Sequence, residues 1–400
     1  MSDKAYSNFL TYAQTCLKSF EELPFNEVDS TIFSWLSYLN LHEDIANNFS
    51  SEGMPLNHII YAEYLPELLQ DGFHVEDTLQ LMYAVVSNPR YRSTRIKYYR
   101  KESSPEITLQ FSAMVFSFSE TMHYIAYRGT DSMVHAWKED VMLLMKEAAP
   151  CQKLAVNYLN AVAGKLPGDL IVGGHSKGGH NAVYASAFCE PSIQQRILTV
   201  YNHDGPGFVA ADLQTPGLQR IRSRIRKTIP VGSPVGLILQ NETEPKYIES
   251  NLNGVLKHLP SSWHVEGYTF SPAPERNTLV KALTANINRW SESVSDTQLQ
   301  TFIDGLFGMV EMSGISDFSE ILMYPVKHLR LIADTLRKTN RADRQFVLST
   351  LFNALSGKTE DGRAADASDM AEFGIDWNLI DQVLNERQTD AFQKEYDLFI

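Results

Sequence analysis

The sequence predicts an α/β fold, a mostly parallel sheet flanked by helices, with further helical segments at both ends. Three observations carry this. Between Ile96 and about Phe270, short β-branched or aromatic runs alternate with helix-period runs, the pattern of βαβ units. The buried-strand run Leu170–His175 passes through Gly174-His175-Ser176-Lys177-Gly178 into a helix of small residues ending near Ala187. Outside that span the apolar residues recur at helical spacing. Three zones follow: residues 1–90, a helical segment packed on the core; 91–270, the α/β core; and 271–400, a helical region whose Met and Phe side chains read as core, a cap over the α/β unit being the alternative.

In chain order, Ile32–Leu39 and Thr78–Val85 read as helices by periodicity. Ile107–Phe118 reads as a long antiparallel edge strand pairing with Met122–Tyr127. That second strand ends in Arg128-Gly129-Thr130 and feeds an amphipathic helix starting at Ser132–Asp140. After the Leu170 strand come Arg196–Asn202, Arg226–Val231 and Lys246–Ser250, all strand-like. The basic run Arg220–Lys227 alternates with apolar residues and reads as a solvated helix face feeding a strand. Ser271-Pro272-Ala273-Pro274 marks a boundary, Phe302–Met309 and Phe346–Phe352 read as helices, and Gly357–Ala365 as a polar linker.

The strand–turn–helix at Ser176 is a G-x-S-x-G nucleophile elbow. Gly174 and Gly178 let strand and helix approach closely while Ser176 sits on a strained turn. The turn places the hydroxyl at a helix N-terminus, where free N–H groups favour negative charge on a substrate oxygen. Acyl transfer needs a second N–H donor from a loop after an earlier strand. Thr130 supplies it, with the Lys177 N–H as the first; the plainer reading is that Thr130 caps the helix behind it.

Ala126–Ser132 (A-Y-R-G-T-D-S) and Gly173–Gly179 (G-G-H-S-K-G-G) resemble the two signatures of class 3 lipases, F-R-G-T-x-S and G-H-S-L-G-G. The chain is closer still to a bacterial family of lipase-like α/β-hydrolases of unknown function. That family's pattern is also matched by Leu23–Asp29, Gln110–Met114, Trp137–Asp140 and Asp204–Phe208. The match covers roughly residues 20 to 270. It implies an α/β-hydrolase core and an ester- or lipid-directed hydrolase.

Two departures from the lipase pattern are informative. Lys177 stands where those lipases have leucine; either Glu139 or Asp140 pairs with it, or it snorkels to solvent. The usual acid position, after Arg226–Val231, holds Gly232-Ser233-Pro234 and no carboxylate. Asp204 ends the strand beside the nucleophile strand, at the edge where open α/β sheets place their sites, and is taken as the acid. An ordinary Asp-Gly turn is the plainer reading, and Glu249 and Glu266 are rival acids. Histidine comes last in the order of this fold. His258, five residues before Trp263, matches the bacterial family's histidine, while His264 points elsewhere and His175, His180 and His203 are packing or supporting groups.

The net charge of −13 argues against nucleic acid and against anionic membranes. Three cysteines without metal-like spacing fit a reducing cytoplasm, and no apolar run approaches the length of a membrane span. Nor does the N-terminus read as a signal peptide. No cofactor and no metal site are expected, and the oligomeric state is not encoded in any visible pattern. The resulting expectation is a serine esterase or lipase-like hydrolase with the triad Ser176, His258 and Asp204, acting on a small-molecule or lipid ester. An idle scaffold used for binding, or an acyltransferase, are the alternatives.

Overall fold

In the computed structural model, residues 7–46, 52–70, 75–275, 279–314 and 329–356 are described. Eight strands form one sheet in sequence order: β1 (Met54–Pro55), β2 (Arg95–Ser104), β3 (Leu109–Ser117), β4 (Met122–Tyr127), β5 (Asp169–His175), β6 (Ile197–His203), β7 (Ile225–Pro230) and β8 (Lys246–Ile248). Neighbours from β1 to β4 pair antiparallel and those from β4 to β8 pair parallel. This mostly parallel sheet flanked by helices is the α/β-hydrolase-like architecture expected from the sequence.

The topology dictates which segment covers which face. Every parallel crossover steps the same way, and crossovers of one hand then place all their helices on one face. On that face, Ile125, Tyr127, Leu170, Val172 and Val200 pack with Ala155, Leu159, Ala182 and Val183 of the helices Pro150–Ala163 and Lys177–Phe188. The alternate residues Tyr124, Ala126, Ile171 and Tyr201 point the other way, as period-2 strands require. They pack with Phe9, Ile32, Phe33, Leu36, Leu81 and Val85 from the helices Phe9–Thr15, Glu27–Leu36 and Val75–Ser87. The N-terminal helices therefore complete the sandwich, and Ser30 and Ser34 bond the buried Tyr124 hydroxyl at 2.9 and 2.8 Å.

One expectation is corrected. The strand read over Ile107–Phe118 pairs with β4, but it is not an edge, because β2 lies on its other side. All nine residues of β3 are buried. β2 escaped notice because Arg95, Lys97, Arg100, Lys101 and Glu102 break its apolar pattern. Only the two-residue β1 flanks it, so it behaves largely as a charged edge strand.

The helices Leu279–Ser293, Asp296–Met312 and Arg341–Ser356 share a third cluster with Val134, Trp137, Val141 and Met142. They thus rest on the helix Val134–Met142, which follows the Thr130 loop. Asn288 also bonds the backbone of Leu237 and Leu239, downstream of Ser233. The region expected as the linker 357–365 lies outside the described residues. Among the described residues no helix is long and apolar enough to cross a membrane.

Candidate active site

β5 ends at His175 and the helix Lys177–Phe188 begins at once, so Ser176 takes φ +59° and ψ −135°. Among the described residues only five non-glycine residues have positive φ, and Ser176 and Asp204 are two of them. Strain of this kind persists where surrounding structure over-determines it. Here the glycines do so. A Cβ at Gly174 would lie 2.3 Å from the Gly178 carbonyl carbon, and one at Gly178 would lie 2.1 Å from Tyr127 O. The Ser176 N–H is held by His203 O at 3.0 Å. At the first turn of the helix the Lys177 N–H has no intrahelical acceptor and is left for an anion.

The Gly129-Thr130 loop lies against this turn, since a Cβ at Gly129 would be 3.1 Å from Ser176 Cβ. Asp131 staples the loop, pairing with Arg128 at 3.1 Å and accepting from Met133 N at 3.0 Å. Thr130 does not cap the following helix: its hydroxyl donates to Asp140 Oδ2 at 2.6 Å. That proton is committed, which leaves the Thr130 backbone N–H as the donor the loop can offer.

Lys177 is buried beneath the elbow. Its Nζ lies 2.9 Å from Glu139 Oε2, 3.6 Å from Asp140 Oδ1 and 3.3 Å from Gln110 O. The Lys177 and Glu139 side chains are 1% and 0% exposed, so the snorkelling alternative is excluded. Burial works against the ammonium, but Glu139 and Asp140 outweigh it and hold its pKa above the ordinary lysine value. Burial also pushes the Asp140 carboxyl up to about 6, against the pull of Lys177 and the Thr130 hydroxyl. One charge cluster therefore ties the Ser176 turn to the Gly129-Thr130 loop.

Asp204 follows β6, which pairs in parallel with β5, and its fully buried carboxylate accepts from His258 Nδ1 at 2.7 Å. Ser233 Oγ donates to the same Oδ2 at 2.5 Å, and Gly236 N donates to Oδ1 at 3.1 Å. Ser233, which follows β7, thus holds the Asp204 carboxylate at the end of β6. The Asn202 side chain accepts from Gly205 N at 2.9 Å and shapes that turn. With Nδ1 bonded to Asp204, Nε2 is the nitrogen of His258 left for a serine hydroxyl. Among the described contacts no hydrogen bond joins Ser176 Oγ to His258. In ligand-free hydrolases this contact is commonly long and tightens with substrate.

The rival groups go elsewhere. Glu249 pairs with His264 at 3.3 Å. His203 Nε2 bonds Ser30 Oγ at 2.8 Å, and His180 lies between Gln152 and Gly207 O. Burial lowers both the His180 and the His203 pKa to about 4, so both rings are neutral supports. Sequence reasoning missed Ser233 as a partner of the acid; its one signal was its place at the usual acid position. It also missed Tyr38, whose hydroxyl lies 3.2 Å from His175 Nδ1.

A family model described as Mbeg1-like matches residues 85–308. No curated protein sequence matches the chain. Similar solved structures include the M37 lipase, at 15% identity over 53% of this chain and 70% of that one, TM-score 0.34. A native Rhizomucor miehei lipase propeptide complex is 17% identical over 56% and 68%, TM-score 0.33. A mutant form of MDLA from Penicillium cyclopium is 14% identical over 56% and 81%, TM-score 0.34. Likenesses at this level carry no argument about chemistry, whereas the family match covers more than half of the chain. The chain belongs to the Mbeg1-like family.

Proposed function

We propose that this Mbeg1-like protein is a serine hydrolase that cleaves carboxylic esters through an acyl-enzyme on Ser176. The observation that carries the reading is the 2.7 Å bond from His258 Nδ1 to Asp204 Oδ2, built on the loops that follow β6 and β8 beside the strained Ser176 turn. In attack, Ser176 Oγ bonds the ester carbon as its proton passes to His258 Nε2. The carbonyl oxygen gains negative charge opposite the Thr130 and Lys177 N–H groups. The C–O bond to the alcohol then breaks and His258 returns the proton to the leaving oxygen. Water repeats the sequence and frees the acid. Asp204 fixes the imidazole tautomer and stabilises the imidazolium, and Ser233 and Gly236 hold Asp204 in turn.

The substrate class is a small-molecule or lipid ester, lipid resting on the resemblance of Ala126–Ser132 and Gly173–Gly179 to lipase signatures. The setting is the cytoplasm, which the three unpaired cysteines, Cys16, Cys151 and Cys189, support. A series of p-nitrophenyl esters tests the activity. Turnover by the wild type that Ser176→Ala abolishes is expected, and undiminished turnover by Ser176→Ala would overturn the proposal.

A further inference from the structure

Tyr38 follows the helix Glu27–Leu36, lies outside the span matched by the family model, and is buried. Its hydroxyl lies 3.2 Å from Nδ1 of His175, the residue before the nucleophile. The other ring nitrogen, His175 Nε2, lies 2.8 Å from the backbone carbonyl of His258. A carbonyl only accepts, so Nε2 carries the ring proton. Nδ1 is then bare and accepts from the Tyr38 O–H, which fixes both the tautomer and the direction of the chain. Burial, with the neighbouring His258, drives the His175 pKa well below the ordinary histidine value, in keeping with a neutral ring.

Two further contacts give this chain a mechanical role. The His175 ring packs on the His258 ring with centroids 4.4 Å apart and planes 32° apart. A Cβ at Gly129 would fall 2.1 Å from Tyr38 Oη, so the same hydroxyl fills the space behind the oxyanion loop. His258 sits on a 3₁₀ turn, Gly254–His258, which Lys257 Nζ ties to Val231 O at 2.9 Å. Beyond the Asp204 bond to Nδ1, its ring and its backbone carbonyl both meet the residue next to Ser176.

We propose that Tyr38 and His175 form a polar strut that sets the position of His258 relative to Ser176, making the N-terminal segment part of the catalytic unit. The proposal rests on the serine-hydrolase reading above. Both are positioning residues, and neither exchanges a proton with substrate.

The test uses the full chain as wild type, Tyr38→Phe, His175→Leu and His175→Gln. The rate constant for fluorophosphonate labelling of Ser176 is measured against pH, alongside the side-chain ¹⁵N resonances of His175. Glutamine can donate to the His258 carbonyl and accept from Tyr38, whereas leucine can do neither. Tyr38→Phe and His175→Leu should label about 10- to 100-fold more slowly, with a shifted pH midpoint, as expected for misplaced reacting groups. His175→Gln should recover most of the rate. In the wild type His175 should be the neutral Nε2–H tautomer from about pH 5 to 8, a readout that needs no substrate. A cationic or Nδ1–H His175, or a Tyr38→Phe protein with wild-type rate and profile, overturns the strut. A wild type that does not label at Ser176 while showing the Nε2–H tautomer overturns the hydrolase reading, and the catalytic role of the strut with it.

Discussion

Replacing Lys177 by leucine, the residue class 3 lipases carry there, removes the cation from beside a carboxylate that is closed to bulk solvent. Glu139 is fully buried and keeps two backbone donors, Gln110 N at 3.1 Å and Cys151 N at 2.9 Å, but loses the ammonium at 2.9 Å. Breaking a buried pair by deleting one partner costs about 3–5 kcal/mol, and the surviving N–H bonds place this site near the lower end. At about 1–2 °C per kcal/mol for a chain of 400 residues, the thermal midpoint of Lys177→Leu should fall by about 3–6 °C. Asp140 also loses a lowering influence, so its pKa should rise above the present value of about 6. Adding Glu139→Gln removes the orphaned charge and should recover most of the midpoint, because coupled partners are not additive. Thermal melts and urea titrations of the four proteins of this cycle give the coupling directly. A loss below about 1 kcal/mol in the single variant, or a double variant no better than the single, would refute the buried pair as the element joining the Ser176 turn to the Gly129-Thr130 loop.

Asp204→Asn should keep the fold, since asparagine tolerates the φ of +51° at this turn, yet lower kcat by about 10⁴-fold through the wrong imidazole tautomer. Ester turnover together with a thermal melt checks it, and near-full turnover would remove Asp204 from the triad. Asp140 makes stability depend on pH. Its folded pKa of about 6 exceeds the ordinary 3.8, so its contribution is fully present below about pH 4 and lost as pH rises through about 6. Relative to Asp140→Asn, the wild-type midpoint should therefore fall between pH 4 and 6.5, by no more than about 3 kcal/mol in stability. Parallel melts across that range test it, and superimposable pH curves would contradict it.

What was legible in the sequence was local. Gly174-His175-Ser176-Lys177-Gly178 spells strand, turn and helix within a few residues, and each glycine meets a backbone atom that no side chain would tolerate. Asp204 was reached from its place at the end of the strand beside the Ser176 strand, with the usual acid position vacant, His258 from the resemblance to the bacterial family's histidine five residues before a tryptophan, and the Lys177 pairing from the cost of an unpaired buried cation. The features that were not legible depend on long-range placement. Tyr38 and His175 are 137 residues apart and share no pattern. Ser233 looked like a missing carboxylate, although its hydroxyl is what an acid on the neighbouring strand needs. β2 was hidden because a charged, nearly peripheral strand loses the apolar alternation that marks buried ones.

The most direct test of the account is to treat the folded protein with a fluorophosphonate and locate the adduct by peptide mass spectrometry. The elbow strain, the Asp204–His258 bond and the buried cluster beneath the turn together predict a single adduct, on Ser176, that forms far more slowly in His258→Ala. A folded wild-type protein that stays unmodified, or that carries its adduct on another residue, would contradict it.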